Sequence, residues 1–355
     1  MTMVTSIAAP AFADAYGIAL YGTHYLDQGN ITVEVRGGQY YVNDVLDDDG
    51  PVIIKNHEDE SDTTSVSNTI TIHAEDGEAN VTLKDVDIVT NGEANKSGIT
   101  VKADKTKTAT ATVNVTLDNV TVDAREDASS EGATGGAGMT IQGNGVVNIE
   151  LDGKNELLAG DGHAGLEKNR TESVGSLNIN DSNEDGGSLT AIGGDGGAGI
   201  GGGKGDMGSG LYILNGTVNA YGKGGGAGIG GGDGAGAHMV GLNAGVPGVN
   251  DAYEPTATAV GSEGAAGIGG GKGGRLTDAV LSSGTLTGTM ETLEYLQAHG
   301  AQTIVFTTSQ RTSSFQISDL LALADEGDVF YLTHTEANEP TLLVVTSDHT
   351  DLLEG

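Results

Sequence analysis

The sequence predicts a mainly β protein: a parallel β-helix of three sheets, built as a solenoid, followed by a small α+β module. Three observations carry that expectation. First, one block is written six times. Its clearest copies are Ala198-Gly199-Ile200-Gly201-Gly202-Gly203, Ala227-Gly228-Ile229-Gly230-Gly231-Gly232 and Ala266-Gly267-Ile268-Gly269-Gly270-Gly271, and decayed copies stand at Ala164-Gly165-Leu166, Ala137-Gly138-Met139 and Ser97-Gly98-Ile99. The anchors Ile99, Met139, Leu166, Ile200, Ile229 and Ile268 are separated by 40, 27, 34, 29 and 39 residues. Such spacing suits a solenoid whose loops vary while its strands stay in register. Second, each copy carries two further short alternating segments, and three lone strands per turn bury their apolar faces only by stacking. Third, 60 glycines with 4 % aromatics and no cysteine exclude an ordinary globular core and a disulfide staple, which leaves the backbone ladder to hold the chain.

Taken in order, residues 1–13 (Met-Thr-Met-Val-Thr-Ser-Ile-Ala-Ala-Pro-Ala-Phe-Ala) read as the remnant of a secretion signal. Ala11 and Ala13 form the small pair before a cleavage site, and Asp14 would start the mature chain. Residues 14–79 are expected to form the capping turns of the solenoid, with alternating segments at Ile31–Val35, Gln39–Val42, Val52–Lys55 and Thr69–His73 separated by turn residues. A cap is needed because a bare first rung would offer its edge to other chains.

Residues 80–274 hold the repeats. The first segment of each turn reads Val81-Thr82-Leu83, Val115-Thr116-Leu117, Ile149-Glu150-Leu151, Leu177-Asn178-Ile179, Tyr212-Ile213-Leu214 and Val240-Gly241-Leu242. The second ends in a small residue in most copies: Ile88-Val89-Thr90, Val122-Asp123-Ala124, Leu157-Leu158-Ala159, Leu189-Thr190-Ala191, Val218-Asn219-Ala220 and Ala257-Thr258-Ala259. Six turns at the strand spacing give a rod about 29 Å long. Beyond Arg275 the glycines stop, and 275–355 read as the α+β module. Helices are expected over Met290–His299 and Asp319–Ala324, and strands over Thr303–Thr308, Ser313–Ile317, Val329–Thr333 and Thr341–Thr346.

The pattern Gly38-x-Tyr40-x-Val42, Leu46-Asp47, Gly50-x-Val52-x-Ile54, then Val81-Thr82-Leu83-x-Asp85-Val86-x-Ile88, repeated as Val115 to Val122, resembles the opening of a bacterial family. Its members are secreted, carbohydrate-binding β-helix proteins best known from clostridia, and the resemblance covers roughly residues 30–275. It implies a right-handed parallel β-helix at the bacterial cell surface that binds acidic or neutral plant polysaccharide, often with calcium. The Ala-Gly-Ile-Gly-Gly-Gly blocks depart from that family and look like a variant common in surface proteins of gut Firmicutes and Actinobacteria.

Charge bounds the partners. Asp and Glu outnumber Lys and Arg 50 to 16, a formal charge of −34, so the surface repels nucleic acid and anionic lipid and favours divalent cations. No segment approaches the apolar run needed to span a bilayer. Pectin-cleaving chemistry on this fold asks for clustered carboxylates with a His and a basic residue. The sequence offers only the Asp161-Gly162-His163 turn, and Lys204, Lys223 and Lys272 on glycine-rich loops. Lys204 and Lys272 follow their Gly-Gly-Gly blocks, Asp233 takes their place in the middle copy, and the three read as an alternating charge ladder.

A calcium nonapeptide is rejected, because Ala198 stands where its Asp is required. The better metal candidates are Asp85, Asp118 and Asp152, heading a corner column that continues through Asn180 and Asn215 and that reads equally as a hydrogen-bonded Asx ladder. For sugar stacking, Tyr212 and Tyr221 are the candidate platforms, with Asn215 as a polar neighbour; packing on the next rung is the competing reading. The expected function is therefore non-catalytic binding or adhesion to a polysaccharide, a plant or host glycan, outside the cell. A structural stalk and a polysaccharide lyase or glycoside hydrolase are the alternatives.

Overall fold

The computed structural model describes residues 22–48, 50–106, 109–125, 134–242, 256–262, 265–272, 276–281 and 284–289, and beyond them 294, 297, 303–307, 312–316, 318, 321–322, 329–334 and 341–345. The expected signal remnant 1–13 and Tyr253 lie outside the described residues.

The chain is mainly β. Three large sheets of nine, six and ten strands are visited in turn, and apart from Gln39–Val42 and Val45–Asp47 their strands pair in parallel with counterparts one visit earlier or later. One circuit runs Glu78–Lys84 in the first sheet, Asp87–Val89 in the second and Ile99–Ala103 in the third; the next runs Thr112–Asp118, Thr121–Ala124 and Met139–Gln142. This parallel three-sheet course is compatible with a β-solenoid. Alternation fixes the faces: Ala79, Val81 and Leu83 point inward and are buried, while Asn80, Thr82 and Lys84 between them stay partly exposed.

In the third sheet Ile99, Met139, Leu166, Ile200, Ile229 and Ile268 occupy one register column, extended backward by Ile70 and Ile31. Every member is at most 7 % exposed. Burying a side chain of this size contributes about 1.5–3 kcal/mol, so the column is a spine of the core. Glycine follows Ile229 because Gly230 has φ +141° and an added Cβ would overlap the carbonyl oxygen of Gly269 on the next rung.

The described N-terminal strands join two of these sheets. Gly22–Tyr25 and Val52–Lys55 begin the first sheet, and Ile31–Arg36 and Ile70–Ala74 the third. Gln39–Val42 and Val45–Asp47 then fold back antiparallel on Ile31–Arg36, which ends the ladder in a short meander. Among the described residues, a single bridge, Val66 to Ile88, precedes Asp87–Val89 in the second sheet.

Register departs from the sequence alignment in three places. Leu177 pairs with Val147 rather than Ile149, and Ala191, not Leu189, pairs with Leu157; both slips are two residues and leave every side chain on its expected face. The third slip is one residue. Leu211-Tyr212-Ile213, not Tyr212-Ile213-Leu214, lies beside Leu177-Asn178-Ile179, so Tyr212 turns to the outer face. At the other end the first sheet runs one strand past residue 274, since Leu276–Leu281 pairs in parallel with Ala237–Leu242.

Beyond it the described strands are antiparallel. Gly284–Thr289, Val329–His334 and Thr341–Val345 form a three-stranded sheet, and Thr303–Thr307 pairs with Thr312–Gln316. Of the helices expected here, Glu294, Gln297, Ser318 and Leu321 are helical and the remainder lies largely outside the described residues. No helix among the described residues is long and apolar enough to cross a membrane.

Candidate functional site

The outer face of the first sheet carries a continuous polar row. Asn80, Asn114, Asn148 and Asn178 stand in register on four successive rungs. Each Nδ2 donates to the Oδ1 of the preceding rung, at 2.9 Å from Asn114 to Asn80, 2.7 Å from Asn148 to Asn114 and 2.8 Å from Asn178 to Asn148. An amide carries two N–H donors and two acceptor lone pairs; Asn114 spends its second donor on Glu78 Oε1 at 2.7 Å, so of the inner members only Asn148 keeps both a donor and an acceptor for a ligand hydroxyl. Beside it runs a second outward row, Thr82, Thr116, Glu150 and Asn180.

Tyr212 takes the next place in the asparagine row, directly beside Asn178. Its ring is half-buried, and burial pushes the phenol above its ordinary range, which keeps it a neutral hydroxyl. A cleft of about 120 Å³ opens here, lined by Arg170, Val174, Ser176, Ser209, Tyr212 and His238. Val174 presents an apolar side chain that is 65 % exposed at this cleft. An amphipathic ring, an exposed aliphatic group and a row of amides thus lie close together on the outer face of the first sheet.

Behind the cleft wall sits Lys168, with no exposure at all. Its Nζ donates to the carbonyls of Ser209 at 2.6 Å and Ser173 at 3.3 Å, tying together the two segments that line the cleft. Burial lowers its pKa to about 8. Glu167, Lys168 and Asn169 are all buried where the intact copies have Gly-Gly-Gly, as the pairing of Glu167 with Gly201 shows. Charged residues in place of repeat glycines were the sequence signal for this group, which residue-type reasoning passed over.

The other predicted site residues are dispersed. Tyr221 lies on the outer face of the second sheet, in a row with Ile192 and Val260, so it packs among apolar neighbours and does not meet Tyr212. Asn215 uses both ends of its amide in a turn: Nδ2 donates to the Asp181 carbonyl at 2.7 Å and Oδ1 accepts from Gly216 N at 2.7 Å. The Asx column is two columns. Asp118 and Asp152 are in register with Lys84, whereas Asp85 stands one residue further along with Asn119, both at positive φ.

Lys84 Nζ donates to Asp118 at 2.5 Å, and Asp85 Oδ1 accepts from Asn119 at 3.3 Å. Asp118, Asp85 and Asp152 all bear on the Lys84 ammonium, and no cluster of three or more acidic or His ligands is placed to hold a metal among the described residues. Burial, reinforced by Asp185, raises the Asp152 carboxyl. The Asp161–His163 pair is also split. His163 is held above its ordinary pKa by Glu167, 3.1 Å from Nδ1, and its Nε2 lies 3.1 Å from Asn95 Oδ1, while Asp161 accepts from Asp195 N. Lys204 pairs with Asp195 at 3.8 Å.

Comparison of the chain with protein-family models, curated proteins and solved structures gives no match.

Proposed function

We propose that this chain is a secreted or cell-surface, non-catalytic carbohydrate-binding protein, built as a right-handed parallel β-helix, that takes an extended polysaccharide across the outer face of its first sheet. The observation that carries the reading is the in-register row Asn80, Asn114, Asn148, Asn178 and Tyr212. Rungs repeat about every 4.8 Å, and the row offers amide donors and acceptors along a straight line with a ring at its end. A polymer with regularly spaced hydroxyls matches that geometry better than a small metabolite does. The acidic surface agrees with an uncharged glycan on this face, where no fixed positive charge lies in the amide row.

The test is retention of the full chain on a panel of insoluble polysaccharides, with reducing ends measured in the supernatant. Binding to at least one polymer without sugar release is expected, and Tyr212→Ala should weaken it about tenfold, the worth of one stacked ring with its hydroxyl. Failure to bind any member of the panel would favour a structural stalk. Steady release of sugar would favour a lyase or hydrolase.

A further inference from the structure

The six-stranded second sheet ends on Asp87–Val89, with no strand on its outer side among the described residues. Such an edge offers N–H and C=O groups to any extended chain. Residues 56–66 cover it. Asn56, 5 % exposed, stands in for a strand residue: its Oδ1 accepts from Asp87 N at 3.0 Å, and its Nδ2 donates to the Asp87 carbonyl at 3.0 Å. Val66 N donates to the same carbonyl at 2.9 Å, and the Val66 carbonyl accepts from Val89 N at 2.8 Å. Between these two anchors the chain runs out through residues 57–64 and returns, so opening that loop pulls on both.

His57 closes the loop. Its side chain is 9 % exposed, and both ring nitrogens face acceptors. Nε2 lies 2.7 Å from the Thr64 carbonyl, which Asn56 Nδ2 also reaches at 3.1 Å. Thr64 Oγ1, 3.3 Å from Nε2, gives its own proton to Asp62 Oδ1 at 2.8 Å, so it too meets the ring as an acceptor. Nδ1 lies 3.2 Å from Asp27 Oδ2 and 3.8 Å from Asp62 Oδ2. A neutral imidazole has one N–H and one lone pair, and would set that lone pair against a carbonyl or a carboxylate; an imidazolium donates on both sides. The charged groups around the ring are acidic: Asp27 from the turn Leu26–Gln28, and Asp59 and Asp62 from its own loop. Lys55, at the base of the loop, is taken by Glu60 at 2.9 Å, and among the described residues His57 is the only cation paired with Asp27 or Asp62. The Thr64 carbonyl, and after it the Asp27 carboxylate, outweigh burial and hold the ring above its ordinary pKa of 6.5.

We propose that residues 56–66 form a pH-set cover over the open edge of the second sheet, latched while His57 carries its second ring proton and released when that proton leaves. The direction follows from the charge. A folded-state pKa above the unfolded value means that the latch is fully fastened below the unfolded value and is lost as pH rises through the folded one. Above it, one of the two bonds is gone and a lone pair faces an acceptor, so the loop loosens and Asp87 and Val89 lose their partners. The latch also grips a second point, because Asp27 N donates to the Asn56 carbonyl at 2.9 Å and thereby ties the turn to the first anchor of the cover. None of these residues belongs to the asparagine row or lines its cleft, so the device is independent of the polysaccharide reading.

The experiment follows the full chain by NMR from mildly acidic to mildly alkaline pH. Ring nitrogen shifts report the protonation of His57. Hydrogen exchange reports the protection of the Asp87 and Val89 amides, corrected for the intrinsic pH dependence of exchange and read against the amides of Ile99–Ala103 in the third sheet. His57 should titrate above 6.5, and protection of Asp87 and Val89 should fall about tenfold across that titration, the value of one hydrogen bond to a charged group. In His57→Gln the protection should no longer depend on pH. Asp27→Asn keeps the ring but removes its carboxylate, and should move the fall to lower pH. A ring that titrates at or below 6.5, protection that stays flat with pH in the wild type, an equal pH dependence in His57→Gln, or a fall that Asp27→Asn leaves in place would each overturn the proposal.

Discussion

Lys168 gives the sharpest test of how the core is built. It is fully buried, its two hydrogen-bond partners are neutral carbonyls, and burial takes its pKa from an ordinary 10.5 to about 8. A lowered folded-state pKa means that between about pH 8 and 10.5 the unfolded chain holds a proton that the folded chain has released. Stability contributed by this group therefore rises with pH across that window. At 1.36 kcal/mol per pH unit the full gain is roughly 3 kcal/mol.

Lys168→Met removes the titration and also leaves the Ser173 and Ser209 carbonyls without their donor, at about 1–3 kcal/mol for each unsatisfied group. At pH 7 the loss of those donors and the relief of burying a charge offset each other, so the variant should lie near the wild type. By pH 10 the wild type carries a neutral amine with both bonds intact, and the variant should have fallen behind by roughly 3 kcal/mol relative to pH 7. Urea unfolding of both proteins at pH 7, 8, 9 and 10 measures this as a difference, in which every other titrating group cancels. Parallel pH profiles, or a gap that closes as pH rises, would show that Lys168 titrates as an exposed lysine and that the buried placement is wrong.

Gly230→Val should destabilise by at least about 3 kcal/mol, because it combines a positive φ with overlap of the Gly269 carbonyl, which is itself held by Gly231 N at 2.9 Å; a thermal melt coincident with wild type would contradict the rung spacing. Calcium at millimolar concentration should raise the melting temperature no more than sodium at matched ionic strength, since Asp118 is already neutralised by Lys84 and Asp85 stands in the neighbouring column. A larger calcium effect that disappears in Asp152→Asn would restore the corner as a metal site.

The sequence by itself determined the elements and their faces. Alternation has a period of two, so Val81-Thr82-Leu83 or Ile31-Thr32-Val33 declares which side chains point inward wherever the strand ends up. The recurring anchors from Ile99 to Ile268 declare that turns stack, because a two-residue strand such as Ile229–Gly230 has no apolar face to bury unless a neighbour supplies one. The strands at 303–307, 312–316, 329–334 and 341–345 were legible for the same local reason. What only the tertiary structure decided is which residues become neighbours. Asn80, Asn114, Asn148 and Asn178 lie 34, 34 and 30 residues apart, and no local rule says that they touch. Their contact depends on loops of unequal length closing on the same register. A one-residue difference there moved Tyr212 to the outer face, and another put Asp85 in the column next to that of Asp118. Faces follow from the covalent geometry of each strand, whereas register is settled by the packing of whole rungs against one another, and the candidate sites of this protein are features of register.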